Sequence, residues 1–200
     1  MTKGQRTANR ILDIAEELFA RQGFDATSLR QIAELAQIQQ PGLYKHFASK
    51  EALYQQVFDR ALRPLTDVMD DVLAHRSDAA TLLLMTDKLT DHLAQHPAVA
   101  KLLVRAAIAP DPVADAIAGA WLGRLVDYGR RITASTDYAP HGNNNDLLAV
   151  QIVAMFNVLF GYFWSASLIE IVADKPALQP SMVALQKELL KRFVTAFSTA

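Results

Sequence analysis

Cysteine is absent from the 200 residues. That excludes a disulfide scaffold, a thiolate zinc site, a cysteine nucleophile and a thiol redox switch together. Glycine and proline number only 8 each, too few for a loop-rich or all-β chain. Charge of one sign is also missing: 20 basic residues face 21 acidic ones, for a net charge of −1. Bulk charge therefore argues for no partner, and contact with nucleic acid has to come from a local patch. The opening Met1-Thr2-Lys3-Gly4-Gln5-Arg6 is polar and lacks the apolar stretch of a signal peptide, so the chain reads as cytoplasmic. Neither a Ser/His/Asp arrangement with supporting context, nor a Gly-rich phosphate loop, nor a paired-carboxylate motif is found. The expectation is a protein that is not an enzyme and takes no cofactor. His92 and His96 stand one helical turn apart without a matching carboxylate or cysteine set, so no metal site is expected.

What is present is apolar residue at helical spacing. Hydrophobic residues make up 51% of the chain, enough for a substantial core. The pattern is helical from end to end, giving an all-α expectation of about nine helices. They are placed at residues 7–22, 29–36, 40–47, 50–74, 79–95, 98–109, 113–135, 146–173 and 181–198. Gly23 sits where the first helix needs a positive-φ end. Ser28 followed by Gln31 reads as a capping box, and Pro64 predicts a kink or break in the fourth helix. The turn at Pro110-Asp111-Pro112 and the polar stretch 138–145 read as connections. Residues 147–169 carry no charge and could span a bilayer by length alone. Gln151, Asn157, Ser165 and Ser167 interrupt them, however, and no Lys or Arg cluster flanks them. They are expected to form a helix buried on most faces, not a membrane segment.

The segment 27–50 carries the most information. Two short helices joined by a turn at residues 37–39, with the first helix as support, have helix-turn-helix dimensions. In such a pair the second helix enters the major groove. Its outward residues would be Gln40, Tyr44, Lys45 and His46, with Leu43 and Phe47 facing inward. Gln can bond both N7 and N6 of adenine, Lys and Tyr can reach phosphates, and Gly42 permits close backbone approach. Thr27 and Ser28 offer hydroxyls and free N–H groups to phosphate, Lys50 offers a further backbone contact, and Arg30 could reach a guanine edge or a phosphate. The same pattern also fits solvated faces of a small helical domain, and residues 1–60, with 8 basic and 7 acidic side chains, do not decide between the two.

Gly23-Phe24-Asp25-Ala26-Thr27-Ser28-Leu29-Arg30-Gln31-Ile32-Ala33, followed by Leu43-Tyr44-Lys45-His46-Phe47-Ala48-Ser49-Lys50-Glu51-Ala52-Leu53, resembles the N-terminal domain of the TetR family of transcriptional regulators. The resemblance covers about residues 7–55 and implies a helix-turn-helix DNA-binding domain at 1–50. The rest, 51–200, matches by length and helix rhythm that family's helical ligand-binding and dimerisation domain. Two departures stand out: Gln37 where the family usually has Gly in the turn, and Gln39 where it has a Ser or Thr cap. The turn geometry is expected to survive, since non-Gly residues enter left-handed conformations at modest cost. Gln39 and Pro41, at the start of the short reading helix, complete the candidate DNA-binding set.

Beyond residue 50 the reading is coarser. Ala154, Gly161 and Ser165 lie along one side of the predicted 146–173 helix, and Leu185, Leu189, Phe193 and Ala196 form a stripe on the last helix. These two surfaces are candidates for a four-helix homodimer interface, an arrangement the resemblance also implies; packing within one chain is the alternative. The resemblance further implies a cavity among the middle helices, for which Met85, Leu89, His92, Trp121, Leu125, Tyr128, Phe156, Asn157 and Phe160 are candidate lining residues. Asn157 also reads as a buried, hydrogen-bonded packing residue. An apolar wall with few polar groups would suit a small, largely apolar effector. The expectation is a dimeric, ligand-responsive regulator, a repressor released by its effector from a palindromic double-stranded DNA operator. The alternative is a helical small-molecule-binding protein or enzyme that does not bind DNA.

Overall fold

A computed structural model describes residues 1–74, 79–108, 112–135 and 145–199. These form ten α-helices and, among the described residues, no strand: α1 Lys3–Ala26, α2 Leu29–Leu35, α3 Gln40–Tyr44, α4 Lys50–Ala74, α5 Ala79–Gln95, α6 Pro97–Ile108, α7 Pro112–Ser135, α8 Asn145–Trp164, α9 Ala166–Ala173 and α10 Pro180–Thr199. The turn expected around Pro110 and most of the polar connection at 138–145 lie outside the described residues.

Four expectations are corrected. α1 begins at Lys3 rather than near Thr7, because the capping box forms there: Thr2 Oγ1 accepts from the Gln5 amide at 3.2 Å, and Gln5 Oε1 accepts from the Thr2 amide at 2.7 Å. At Ser28 only half of such a box forms. Its hydroxyl accepts from the Gln31 amide, but the Gln31 side chain turns to Gln22 instead. α4 runs without interruption past Pro64 to Ala74. Finally, the predicted eighth helix is two helices, bent by 72° at Ser165. There the hydroxyl donates to the Gly161 carbonyl at 2.5 Å, and the Ser165 carbonyl accepts from both Leu168 and Ile169 amides. The Ser165 amide keeps its own bond to the Gly161 carbonyl at 2.8 Å, so the hydroxyl adds to the last bond of α8 while the Ser165 carbonyl opens the ladder of α9.

A single apolar cluster runs from Ile11, Leu18 and Phe19 on α1 through Ile32, Leu43 and the α4 row Leu53, Val57, Phe58 and Leu65. It continues to Leu93, Leu102, Phe163 and Leu190. α1 lies against both α4 and α6, and α5 lies against α10. Ion pairs mark the seams: Arg60 on α4 meets Asp13 and Glu16 on α1 at 2.7 and 2.8 Å, and Lys187 on α10 meets Asp91 on α5 at 2.6 Å. The uncharged run is less enclosed than expected. Phe160 and Phe163 are buried, but Val150, Val153, Trp164 and Leu168 are exposed, as are Ile171 and Val172 just beyond the run. Among the described residues no single helix is long and apolar enough to cross a membrane.

Candidate nucleic-acid interface and sensing clefts

The entry into the helix-turn-helix is set at Gly23, whose φ of 85° breaks α1 before a last turn carrying Phe24. That angle favours glycine. An added Cβ there would also lie 2.9 Å from Arg105 Nε of α6, whose guanidinium donates to the Arg21 carbonyl at 2.9 Å. Phe24 folds back between Phe19 and Tyr54, at ring-centroid distances of 6.0 and 4.9 Å. Thr27 is 1% exposed and donates its hydroxyl to the Gly23 carbonyl at 2.7 Å. Its hydroxyl therefore secures the kink from inside, which corrects its expected outward role; the outward hydroxyl is that of Ser28.

α2 ends in a Schellman arrangement. Gln37 is left-handed at φ 53°, its amide donates to the Glu34 carbonyl at 3.0 Å, and the Ile38 amide reaches the Ala33 carbonyl at 3.0 Å. The turn thus has a glycine-like geometry with glutamine in place. α3 is a stub with Pro41 in its first turn and no side-chain cap from Gln39. Leu43 and Phe47 anchor it in the core, at 0% and 2% exposure. Gln39, Gln40, Pro41, Tyr44 and Lys45 are exposed, while Gly42 and His46 are half-buried. Arg30 is exposed and paired with Glu34 at 2.9 Å. Lys50 is half-buried, with its ammonium 4.2 Å from the Phe24 ring centre and 3.4 Å from the Asp25 carbonyl oxygen. Beside it, hydrogen bonds from the Ser49 side chain and from its own backbone hold the Glu51 carboxyl below its ordinary pKa.

The structure distributes the nine expected effector residues rather than gathering them around one described cleft. His92 lines a cleft of about 560 Å³ between α1, α4 and the α5–α6 junction, with Glu16, Arg60 and His96. Its ring lies 4.8 Å from that of His96, and its Nε2 is buried without a hydrogen-bond partner. Burial, and then the neighbouring His96, push its pKa below the ordinary 6.5. Trp121 lines a different cleft of about 300 Å³ between α4 and α7, with Phe58, Leu62 and Arg124. Behind it, Phe156 and Phe160 form an aromatic cluster, with Trp121 5.9 Å from Phe160. Leu89 is buried in the core, and Met85 packs at its edge. The Tyr128 hydroxyl bonds Asp70 on α4; burial, aided by this bond, raises its pKa to about 12. The Leu125 side chain lies outside the described residues. Asn157 is exposed, neither buried for packing nor facing a described cleft. It shares an outward line with Val150, Val153 and Trp164, set by the helical repeat.

Of the expected interface residues, Leu185 and Leu189 are exposed at 62% and 45%, and Ala196 is exposed too. Ala154, Gly161 and Phe193 are half-buried, and a Cβ at Gly161 would meet open space. Ser165 sits at the α8–α9 bend. The inward positions of α10 are Val183, Gln186, Leu190 and Val194, with Gln186 donating to the Val158 carbonyl of α8 at 2.6 Å. Arg105 and the α1–α6 seam were not singled out from sequence, because nothing local marks a contact between residues 84 positions apart. Among the described residues no group of three metal-ligating side chains occurs.

Residues 11–57 match the family model described as bacterial regulatory proteins, tetR family. The HTH-type transcriptional repressor KstR2 of Rhodococcus jostii (strain RHA1) is 37% identical over 99 residues, 48% of each chain. The HTH-type transcriptional regulator UidR of Escherichia coli (strain K12) is 36% identical over 75 residues, 36% of this chain and 38% of that one. The chain thus spans less than half the length of these curated relatives. A TetR-family transcriptional regulator from Bordetella parapertussis 12822 superposes with a TM-score of 0.72 at 20% identity, covering 96% of this chain and 94% of that one. At that identity the likeness shows a shared fold along nearly the whole length.

Proposed function

From the match of residues 11–57 to the tetR family of bacterial regulatory proteins, we infer a dimeric transcriptional regulator of that family that reads duplex DNA with residues 1–50 and senses an effector with residues 51–200. The observation that carries this reading is the shape of α3. Leu43 and Phe47 are sunk in the core, while Gln39, Gln40, Pro41, Tyr44 and Lys45 are left outside. A five-residue helix so anchored on its inner side leaves a polar outer face, and its dimensions suit insertion into a major groove. Gln40 is the base reader; Tyr44, Lys45, Ser28 and Arg30 position the domain on phosphates, Arg30 after leaving Glu34.

Two such heads require a symmetric partner. The exposed line Val150, Val153 and Asn157 on α8, with Leu185 and Leu189 on α10, is the surface we assign to it. α4 joins the reading head to the sensing clefts, so an effector that prefers one tilt of α4 resets the spacing of the heads. A preference of about 1–3 kcal/mol changes operator affinity roughly 5–150-fold. We infer a repressor released by a small, largely apolar effector, although the described cleft at Trp121 also presents Gln55, Asp59, Arg63, Thr66 and Arg124, so such an effector needs space beyond it.

The test is selection of an operator from random duplexes, followed by binding at several salt concentrations. The protein is expected to bind a two-fold sequence with a steep negative salt slope. Lys45→Ala should weaken all duplexes alike, and Gln40→Ala should relax preference at one base pair by about 1–3 kcal/mol. Salt-insensitive or absent duplex binding would return the chain to the carrier or enzyme alternative.

A further inference from the structure

Between α1 and α6, against the end of α8, lies a groove of about 810 Å³ that none of the assignments above uses. Its floor is apolar, made by Ala20 and Ala98, and its rim carries Arg21, Lys101 and Arg105 against one carboxylate, Glu17. Among the described residues neither Arg21 nor Lys101 has an ion-pair partner, and all three cations are exposed. Arg105 spends one N–H on the Arg21 carbonyl, which leaves other donors of its guanidinium fork. One wall is Trp164, whose side chain is 56% exposed. Three cations against one carboxylate leave the rim an excess of two positive charges, which with an indole face and an apolar floor matches a dianion attached to a flat ring. A phosphomonoester carries about two negative charges near neutral pH, and aromatic rings stack readily on indole. The volume lies within the range of small-molecule sites, about 300–1,000 Å³.

We propose that this groove binds a small aromatic phosphomonoester of the nucleoside monophosphate type. Its phosphate lies among Arg21, Lys101 and Arg105, and its ring lies against Trp164. The position gives such a ligand leverage. Arg21 belongs to the helix that supports the reading head, and Lys101 and Arg105 belong to the sensing portion, so one phosphate clamps the two. It also competes with the Arg21 carbonyl for Arg105, whose guanidinium lies against the Gly23 kink that leads into α2. Binding itself does not depend on the regulatory reading; only its effect on DNA does.

Adenosine monophosphate, adenosine, inorganic phosphate and pyrophosphate are titrated into the full chain at constant ionic strength, by calorimetry and by tryptophan emission excited at the red edge. Adenosine monophosphate is expected to bind saturably and to quench emission, and Trp164→Phe to remove the quench. Inorganic phosphate should bind about tenfold or more weaker for lack of the ring, and adenosine not at all. Arg21→Ala with Lys101→Ala should weaken binding by about tenfold or more, with Arg21→Lys and Lys101→Arg retaining most of it. Both residues are exposed, so an unchanged thermal midpoint separates this loss from misfolding. Absence of saturable binding at millimolar nucleotide, or equal binding by the double alanine variant, overturns the proposal. A double variant that loses duplex binding while adenosine monophosphate never binds also overturns it, by assigning the groove to the DNA footprint.

Discussion

Gln37 holds a backbone angle that a side chain resists. At φ 53° its Cβ crowds the following carbonyl, a cost of about 1 kcal/mol that glycine escapes. Gln37→Gly is therefore expected to raise stability by roughly 0.5–1 kcal/mol, read as a higher urea midpoint at unchanged slope. His92 supplies a pH dependence. Its folded pKa lies below 6.5 because burial and His96 disfavour the imidazolium, so the unfolded chain binds more protons in the interval between the two values. Stability then falls as pH drops through 6.5 toward the lower folded value. His92→Gln should flatten the thermal-midpoint profile in that window and leave the profile above neutrality as it is. The left-handed turn at Gln37 was legible only through the family resemblance, which puts glycine at this place, since a non-glycine residue adopts that angle at modest cost. Thr27 was not, because its burial follows from a hydroxyl bond to Gly23 that only the folded kink creates.

At the scale of elements, α1 and α4 are joined by the Arg60 guanidinium, bonded to Asp13 and to Glu16, whose side chain is 15% exposed. Arg60→Ala is expected to destabilise by about 1–2 kcal/mol, since it leaves a half-buried carboxylate without its cation. A double-mutant cycle with Glu16→Gln should show coupling, whereas additive losses would assign the effect to lost packing of the arginine stem. Existence and order of the helices followed from apolar spacing, which burial enforces over three or more turns. The division at Ser165 did not, because it falls inside a run whose composition is uniformly helical and no local signal marks the 72° bend. Pro64 does not break α4. A proline removes one backbone bond, yet the flanking Ala61, Leu62 and Leu65 are buried and the helix continues to Ala74.

At the scale of the molecule, the apolar residues left outside on α8 and α10 form a surface that water does not favour. If that surface carries the proposed dimer, Leu189→Glu, at a position 45% exposed, is expected to shift the protein from dimer to monomer in sedimentation velocity without lowering its helical content. Binding to a two-fold operator should fall with it. A dimer that survives this change would place the symmetry axis elsewhere. Sequence could name the stripe on α10 but not assign its sides, since Leu189 and Leu190 are chemically alike and only packing against α5 and α8 sends one inward.

The uninterrupted course of α4 has a mechanical corollary. Pro64 lies 14 residues from Lys50 within one helix, an arm of about 21 Å at the standard rise. If the helix flexes where proline leaves a carbonyl unbonded, an angular change of about 9° there carries Lys50 roughly 3.4 Å, one step along a duplex. In a symmetric pair both arms swing, so half that angle on each side displaces the two α3 helices relative to each other by a full base pair.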